Sequence, residues 1–252
     1  MHKKQRANWP FLVSLLFFIC LWWWVTRAGL IDSLFLPSPS QMWLATVELF
    51  VHKQFLSDIS ISVFRVFSAF ALAFVIAVPT ALLMTEFAFV KRLLEPYIDF
   101  IRYLPVPALI PLTILFFGLG EGSKIALLFI GTFFQLILLV IDDIYTIPSR
   151  YLDLSFSLGF SRIRVAALKL RAILPELYNN ARITLGWAWT YLVIAELVAA
   201  QAGIGHVIKE AQRFSNTEKV YVAILTLGVI GLVIDQAFKK LYPVFFPYKK
   251  YD

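Results

Sequence analysis

A single glutamate interrupts an otherwise apolar stretch and is the sharpest candidate for a functional group. Glu196 lies within residues 183–208, where His206 is the only other ionisable residue besides Tyr191. Because a charge in hydrocarbon is costly, such a carboxylate faces the protein interior or water. Glu196 either takes part in gating or ties helices together, with Arg182 or Arg102 as the expected partner. Gln135, in another apolar run, either contacts a solute or bridges helices.

The other polar residues do not suit catalysis within a membrane. The tightest acidic pair is Asp142 and Asp143, and neighbours on a helix point about 100° apart. The three histidines stand outside any motif, and the GLGEGSK stretch at 118–124 lacks the spacing of a phosphate-binding loop. We therefore expect neither an intramembrane enzyme nor an ATPase, and no metal or cofactor in this chain.

The elements that position these residues are predicted membrane helices. The chain is 60% hydrophobic and 15% charged, which leaves too little polar surface for a globule in water. About 20 helical residues cross about 30 Å of hydrocarbon. The runs that meet this length predict six spans: residues 8–27, 62–85, 94–118, 124–142, 180–200 and 220–239. The third span contains Pro105, Pro107 and Pro111, so it should be bent or partly unwound.

The basic residues predict the topology of this all-α integral membrane protein. If the N-terminus, with Lys3, Lys4 and Arg6, is cytoplasmic, then 15 of the 23 Lys and Arg residues lie inside and six lie outside. This bias follows the positive-inside rule. Both termini are therefore expected in the cytoplasm, and residues 1–252 form one membrane domain.

A short helix is expected at the outer surface, in the PSPSQMW region. Ser40 can cap it. Trp43, Val47 and Phe50 then share one side of the helix.

A basic segment of residues 149–176 connects the fourth and fifth spans and has helical periodicity. Its centre reads LDLSFSLGFSRIRVAALKLRAIL. Two short helices are predicted, with a sharp corner at Gly159 and with Pro175 limiting the second. The predicted apolar face of the second helix comprises Ile163, Ala166, Ala167, Leu170 and Leu174. The hairpin either lies on anionic headgroups or docks a cytoplasmic partner with a tip of Leu158 and Phe160.

This segment resembles the coupling loop of binding-protein-dependent ABC importer permeases. The family's pattern is Glu-Ala-Ala, three residues, glycine, and later leucine-proline. Here Asp153, Leu154 and Ser155 stand in place of Glu-Ala-Ala, Gly159 follows at the right distance, and Pro175 closes the segment. The triplet is only conservatively kept at its first position.

Two further stretches resemble the nitrate/sulfonate/taurine/bicarbonate branch of that family. Residues 104–125 are similar to its proline-rich span and glycine turn. Residues 181–208, which contain Arg182, Trp189 and Glu196, are similar to its fifth span and the turn that follows. PSPSQMW is similar to its early periplasmic segment.

The resemblance implies the membrane subunit of a type I importer in the bacterial inner membrane. Such a subunit forms a dimeric path, here expected to be a homodimer, and docks cytoplasmic ATPase subunits that bind ATP and Mg. It receives its solute from an extracytoplasmic binding protein. The family's solutes are small oxyanions and organosulfonates, with heterocyclic vitamin precursors as the alternative. A stand-alone secondary transporter is disfavoured, since no inverted repeat is evident.

The resemblance also implies residue roles. Asp153 is expected to cap or pair within the loop, and Arg162 and Arg164 to be rim charges around the apolar tip. The expected coupling residues are Asp153, Leu154, Ser155, Leu158, Gly159, Phe160, Arg162, Arg164 and Pro175. For the translocation path the candidates come from the residues themselves, since polar groups within spans are costly to bury in hydrocarbon: Glu196, Gln135, Arg182 and Trp189 are expected in the path or in gating.

Overall fold

The computed structural model describes residues 9–52 and 54–249, so Lys3, Lys4 and Arg6 lie outside the described residues. Within those ranges the chain is helical, with turns and no strand. The α-helices are α1 Trp9–Arg27, α2 Pro39–Val47, α3 Phe55–Glu86, α4 Ala88–Ile101, α5 Ile110–Phe117, α6 Glu121–Tyr145, α7 Ser149–Ser157, α8 Arg162–Ala199, α9 Ile204–Arg213 and α10 Thr217–Phe245. A π-helical turn, Glu48–His52, continues α2, and a 3₁₀ turn, Val106–Leu109, precedes α5.

Three of these helices, α3, α6 and α10, are each long and apolar enough to cross a membrane. Two bent pairs also qualify: α4 with Val106–Phe117, bent by 98°, and α8 with α9, bent by 49°. The bend predicted at the prolines of the third span is confirmed. Counting each pair once gives up to five spans, and the apolar part of α1, Leu12–Arg27, is shorter. The six-span count and the cytoplasmic termini stay predictions.

The centre of the bundle is α3, which packs against α6 and α8. Its contact face carries small side chains every fourth residue, and all are fully buried: Ala69, Ala73, Ala77 and Ala81. Small residues let helix backbones approach closely where lipid supplies no hydrophobic drive between helices. Larger side chains of α6, among them Leu128, Leu136 and Ile137, fill the space around this face.

The prediction that Pro175 limits the second hairpin helix is wrong. α8 runs without interruption for 38 residues, and Pro175 is buried inside it. A proline in a helix interior costs about 3 kcal/mol. The flanking residues Ile173 and Leu177 are buried in a core cluster with residues of α3 and α6. This packing continues the helix past the proline, so the hairpin and the predicted fifth span share one helix.

The buried face of α8 also differs from the predicted one. Ile163 is 83% exposed, whereas Val165, Lys169 and Ile173 are buried. Lys169 is accommodated because its Nζ lies 2.5 Å from Glu86 Oε1, which is itself almost fully buried. At this position an ion pair is buried in place of the apolar contact that periodicity predicted. The pattern of apolar residues does not show which charged side chains are paired and buried.

The short helix predicted in the PSPSQMW region is present as α2, but its cap is Ser38 rather than Ser40. Ser38 accepts from the backbone N–H of Gln41, whose side chain accepts from the Ser38 N–H at 2.7 Å, a reciprocal capping box. Met42 and Ala45 pack against α9 and α10, while Trp43 is 68% exposed. The proline at 39 suits the first helical position, and this places the start of the helix.

Candidate functional site

The corner of the hairpin is built by Gly159 and closes α7. Gly159 has φ +72°, the left-handed region that favours glycine. Its N–H donates to the Phe156 carbonyl, and the Phe160 N–H donates to the Ser155 carbonyl, both at 3.0 Å. Bonds of this kind close the C-terminus of a helix through a left-handed residue. Ser161 then caps α8 by accepting from the Arg164 N–H at 3.5 Å. The predicted corner is confirmed.

The two sides of this corner leave apolar side chains uncovered. Leu154 is 57% exposed and Leu158 is 64% exposed. Together with Tyr151, Phe160 and Leu168 they line a groove of about 400 Å³ between α7 and α8. An exposed apolar groove rimmed by polar residues is typical of an interaction site.

The polar residues of the hairpin differ in their burial and their contacts. Ser155 is buried and donates to the Leu152 carbonyl at 2.7 Å. Arg162 lies over the Phe87 ring at 5.2 Å, and Arg164 is exposed. Asp153 is exposed and caps neither helix, because α7 has no side-chain cap and α8 is capped by Ser161. The expectation that Asp153 caps the loop is wrong, and it forms no ion pair with another described residue.

Glu196 lies at the other end of α8, in a fully buried polar cluster. Its Oε1 accepts from Arg65 Nη1 at 2.6 Å and from Ser62 Oγ at 2.7 Å, and its Oε2 accepts from the Gly205 N–H at 2.7 Å. The expected partners Arg182 and Arg102 are wrong. Arg65, on α3, is the partner because α3 packs directly on α8.

Arg65 connects this cluster to two further elements. Its Nε and Nη2 donate to both oxygens of Glu121, at 2.5 and 2.6 Å, and Nη1 also donates to the Ala202 carbonyl at 2.7 Å. Glu121 is the first residue of α6 and is 48% exposed in its side chain. Its two-oxygen pairing suits the planar guanidinium, which a lysine would not reproduce.

The backbone break between α8 and α9 is hydrogen-bonded to α3, on the side of α3 that carries Arg65. Asp58 accepts from the Gly203 N–H at 2.7 Å, and Ser62 accepts from the Ile204 N–H at 2.9 Å. The α3 residues Asp58, Ser62 and Arg65 recur at spacings of four and three, so they share one face. That spacing is the signal in the sequence for this face.

The cluster leaves no room for side chains at the two glycines of the break. A Cβ at Gly203, where φ is +111°, would lie 2.5 Å from Glu196 Oε1, and one at Gly205 would lie 2.5 Å from Glu196 Cβ. Contacts this short force neighbouring atoms to move. The glycines therefore let the backbone of the break approach the carboxylate closely, and the Gly205 N–H donates to it.

Replacing Gly205 with alanine is expected to lower the free energy of unfolding by about 1–3 kcal/mol, the usual cost of overpacking. The measurement is thermal unfolding of the purified protein in lipid nanodiscs. Gly228→Ala in α10 is the matched control, because a Cβ there meets nothing within 4 Å. Equal stability of the two variants would contradict the packing assigned to the break.

The other predicted path residues are not gathered at Glu196. Arg182 pairs with Asp235, Nε to Oδ1 at 3.1 Å, and Asp235 also pairs with Lys239 at 2.6 Å. Trp189 is buried among apolar residues of α3 and α6. Gln135 lines a separate cavity where the chain bends between α4 and α5. Roles for these residues in the path stay predictions.

Comparison with known proteins identifies the transport class. The family model described as "Binding-protein-dependent transport system inner membrane component" matches residues 73–245. The chain belongs to this family. It is a permease, a multi-pass protein of the inner membrane, and the resemblance found in the sequence is confirmed.

Curated relatives match this permease over most of its length. A probable ABC transporter permease protein of Brucella melitensis is 31% identical over 216 residues, covering 85% of this chain and 87% of that protein. The taurine transport system permease protein TauC of Escherichia coli is 29% identical over 252 residues, covering 95% and 92%. The putative aliphatic sulfonates transport permease protein SsuC of Bacillus subtilis is 30% identical over 241 residues, covering 92% and 86%.

A solved structure supports the fold of this permease. The MetNI methionine ABC transporter in an inward-facing conformation matches with a TM-score of 0.67, covering 82% of this chain and 98% of that chain. The identity is 20%, so the likeness concerns the fold alone.

Proposed function

We propose that this permease is the membrane subunit of an ATP-driven importer for small solutes of the organosulfonate or oxyanion class. Two copies form the translocation path, a cytoplasmic ATPase dimer binds ATP and Mg, and an extracytoplasmic binding protein delivers the solute. The solute class is supported by relatives that are named as permease proteins of taurine, aliphatic sulfonate and bicarbonate transport.

The observation that carries the proposal is the exposed apolar hairpin at one end of α8. Its groove and its tip residue Leu158 present a preformed surface for a partner. The hairpin's second helix is continuous with a core helix of the bundle. A partner that binds differently in two states can therefore shift the bundle between two arrangements, as coupling requires.

The test is reconstitution of the permease in proteoliposomes with a candidate ATPase and a candidate binding protein. Uptake of labelled taurine, dependent on ATP and on both partners, is the expected result. An ATPase variant that binds but does not hydrolyse ATP is the control. Uptake that proceeds without the ATPase or without the binding protein would contradict the proposal.

A further inference from the structure

A cavity of about 340 Å³ lies where the chain bends between α4 and α5, enclosed also by α6 and α8. Its polar lining consists of Arg102, Tyr103, Gln135 and Tyr191. Arg102 is the one charged side chain among the described residues that line it. The cavity has the size of a small-molecule site.

The cavity lies near mid-depth of the bundle. Gln135 is about 21 Å along the helix from the start of α6 at Glu121 and about 15 Å from its end at Tyr145. Beside it the backbone is irregular, because Pro105 and Pro107 supply no N–H. Irregular backbone at membrane depth is tolerated where it lines a water-filled cavity, and broken helices at mid-depth mark solute sites in other transporters.

The polar groups of the cavity have unused hydrogen-bonding capacity. Arg102 Nε lies 3.4 Å from Asp99 Oδ1, and its Nη2 donates to the Tyr103 hydroxyl at 3.1 Å, which leaves Nη1 without a partner among the described residues. The Gln135 amide and the Tyr191 hydroxyl bond no other described residue. A Cβ at Gly131 would lie 2.6 Å from the Tyr191 ring, so this glycine lets the ring pack closely on α6.

A charged stripe on α4 leads to the cavity. Lys91, Glu95, Asp99 and Arg102 recur at spacings of four, four and three on one face. The pairs Lys91–Glu95 and Asp99–Arg102 join along the helix at 3.5 and 3.4 Å, and all four side chains remain partly exposed. Glu95, Asp99 and Arg102 lie within the predicted third span, where charges face water or protein rather than lipid, so they indicate a polar route to the cavity.

We propose that this cavity binds the anionic group of the transported solute, a sulfonate or a similar oxyanion, with Arg102 as the charged ligand. This inference rests on the proposed function. The guanidinium offers two parallel donors that match the oxygens of an oxyanion. The amide of Gln135 and the hydroxyl of Tyr191 donate to its remaining oxygens, and Arg102 therefore selects solutes that carry such an anionic group.

The first test needs no partner protein. In a Cys20→Ser background, which removes the chain's one cysteine, the Gln135→Cys variant is labelled in nanodiscs. The probes are the anionic 2-sulfonatoethyl and the cationic trimethylammonioethyl methanethiosulfonates. Adding Arg102→Gln is expected to lower the anionic-to-cationic rate ratio about tenfold, since a charged cleft concentrates counter-ions.

The matched control for this labelling is Arg92→Gln, ten residues earlier on α4, which should leave the ratio within about twofold. Failure of both probes to label the Gln135→Cys variant would overturn the proposal, because the cavity would then be closed to small ions. An unchanged ratio on adding Arg102→Gln would overturn it as well.

The second test separates this site from the proposed function. Taurine uptake by the reconstituted transporter should fall about tenfold in Arg102→Gln, because the sulfonate loses its charge-assisted donors, and persist in Arg92→Gln, with thermal unfolding of both unchanged. If the unsubstituted transporter takes up no taurine, the proposed function fails, and the labelling ratio still decides whether the cavity attracts anions. Normal uptake by Arg102→Gln would overturn the site while the proposed function stands.

Discussion

Replacing Arg65 with methionine is expected to destabilise the protein by about 3–5 kcal/mol, because the buried carboxylate of Glu196 then lacks its counter-charge. Glu196 and Arg65 are 0% and 1% exposed in their side chains. The Ala202 carbonyl and the carboxylate of Glu121 also lose the hydrogen bonds that Arg65 donates. The expected readout is a large fall in the thermal unfolding midpoint in nanodiscs.

Two comparisons make this prediction specific. Arg65→Met combined with Glu196→Gln should recover much of the loss, since removing both charges is far cheaper than removing one. Arg182→Met should cost little, because that pair is partly exposed and Asp235 keeps Lys239. If Arg65→Met were as stable as Arg182→Met, the cluster would not be the main tie between α3 and the break after α8.

Replacing Gly159 with valine is expected to lower uptake about tenfold or more while leaving the protein inserted and folded. A β-branched residue at φ +72° costs about 1–3 kcal/mol. A tenfold fall in uptake corresponds to about 1.4 kcal/mol, which lies within this range. A Cβ there meets nothing within 4 Å, so the penalty is one of backbone conformation rather than packing. Uptake should fall while binding-protein-stimulated ATP hydrolysis, measured on the same proteoliposomes, persists.

Asparagine at position 159 is the matched control. It adds a side chain in the same open space but tolerates left-handed angles, so uptake should stay near that of the unsubstituted protein. Equal uptake by the valine and asparagine variants would show that the corner geometry does not matter for coupling.

The features predicted correctly from sequence are those with a local cause. Gly159 ends a helix because of its backbone freedom, and Pro105 and Pro107 bend a span because they lack an N–H. The Ser38 cap could have been found, since Gln41 three residues later completes a capping box. These features depend on a few consecutive residues, and their physical causes operate before any tertiary contact forms.

Other features that the sequence analysis missed depend on residues distant in sequence. Arg65 and Glu196 are 131 positions apart, and no local pattern tells which of several arginines faces the carboxylate. The continuation of α8 past Pro175 depends on packing of Ile173 and Leu177 against two other helices. The burial of Lys169 likewise depends on Glu86 at the end of α3.

The uninterrupted course of α8 has a mechanical consequence. The cap at Ser161 and the carboxylate of Glu196 are separated by about 52 Å of continuous helix, at about 1.5 Å per residue. A helix of this kind does not shorten, so a push on the hairpin arrives at the opposite end as a displacement of similar size. The close contacts at Gly203 and Gly205 leave no free space to absorb this displacement. The hydrogen bonds that Arg65 donates to Glu196, Glu121 and Ala202 must therefore either move together or break.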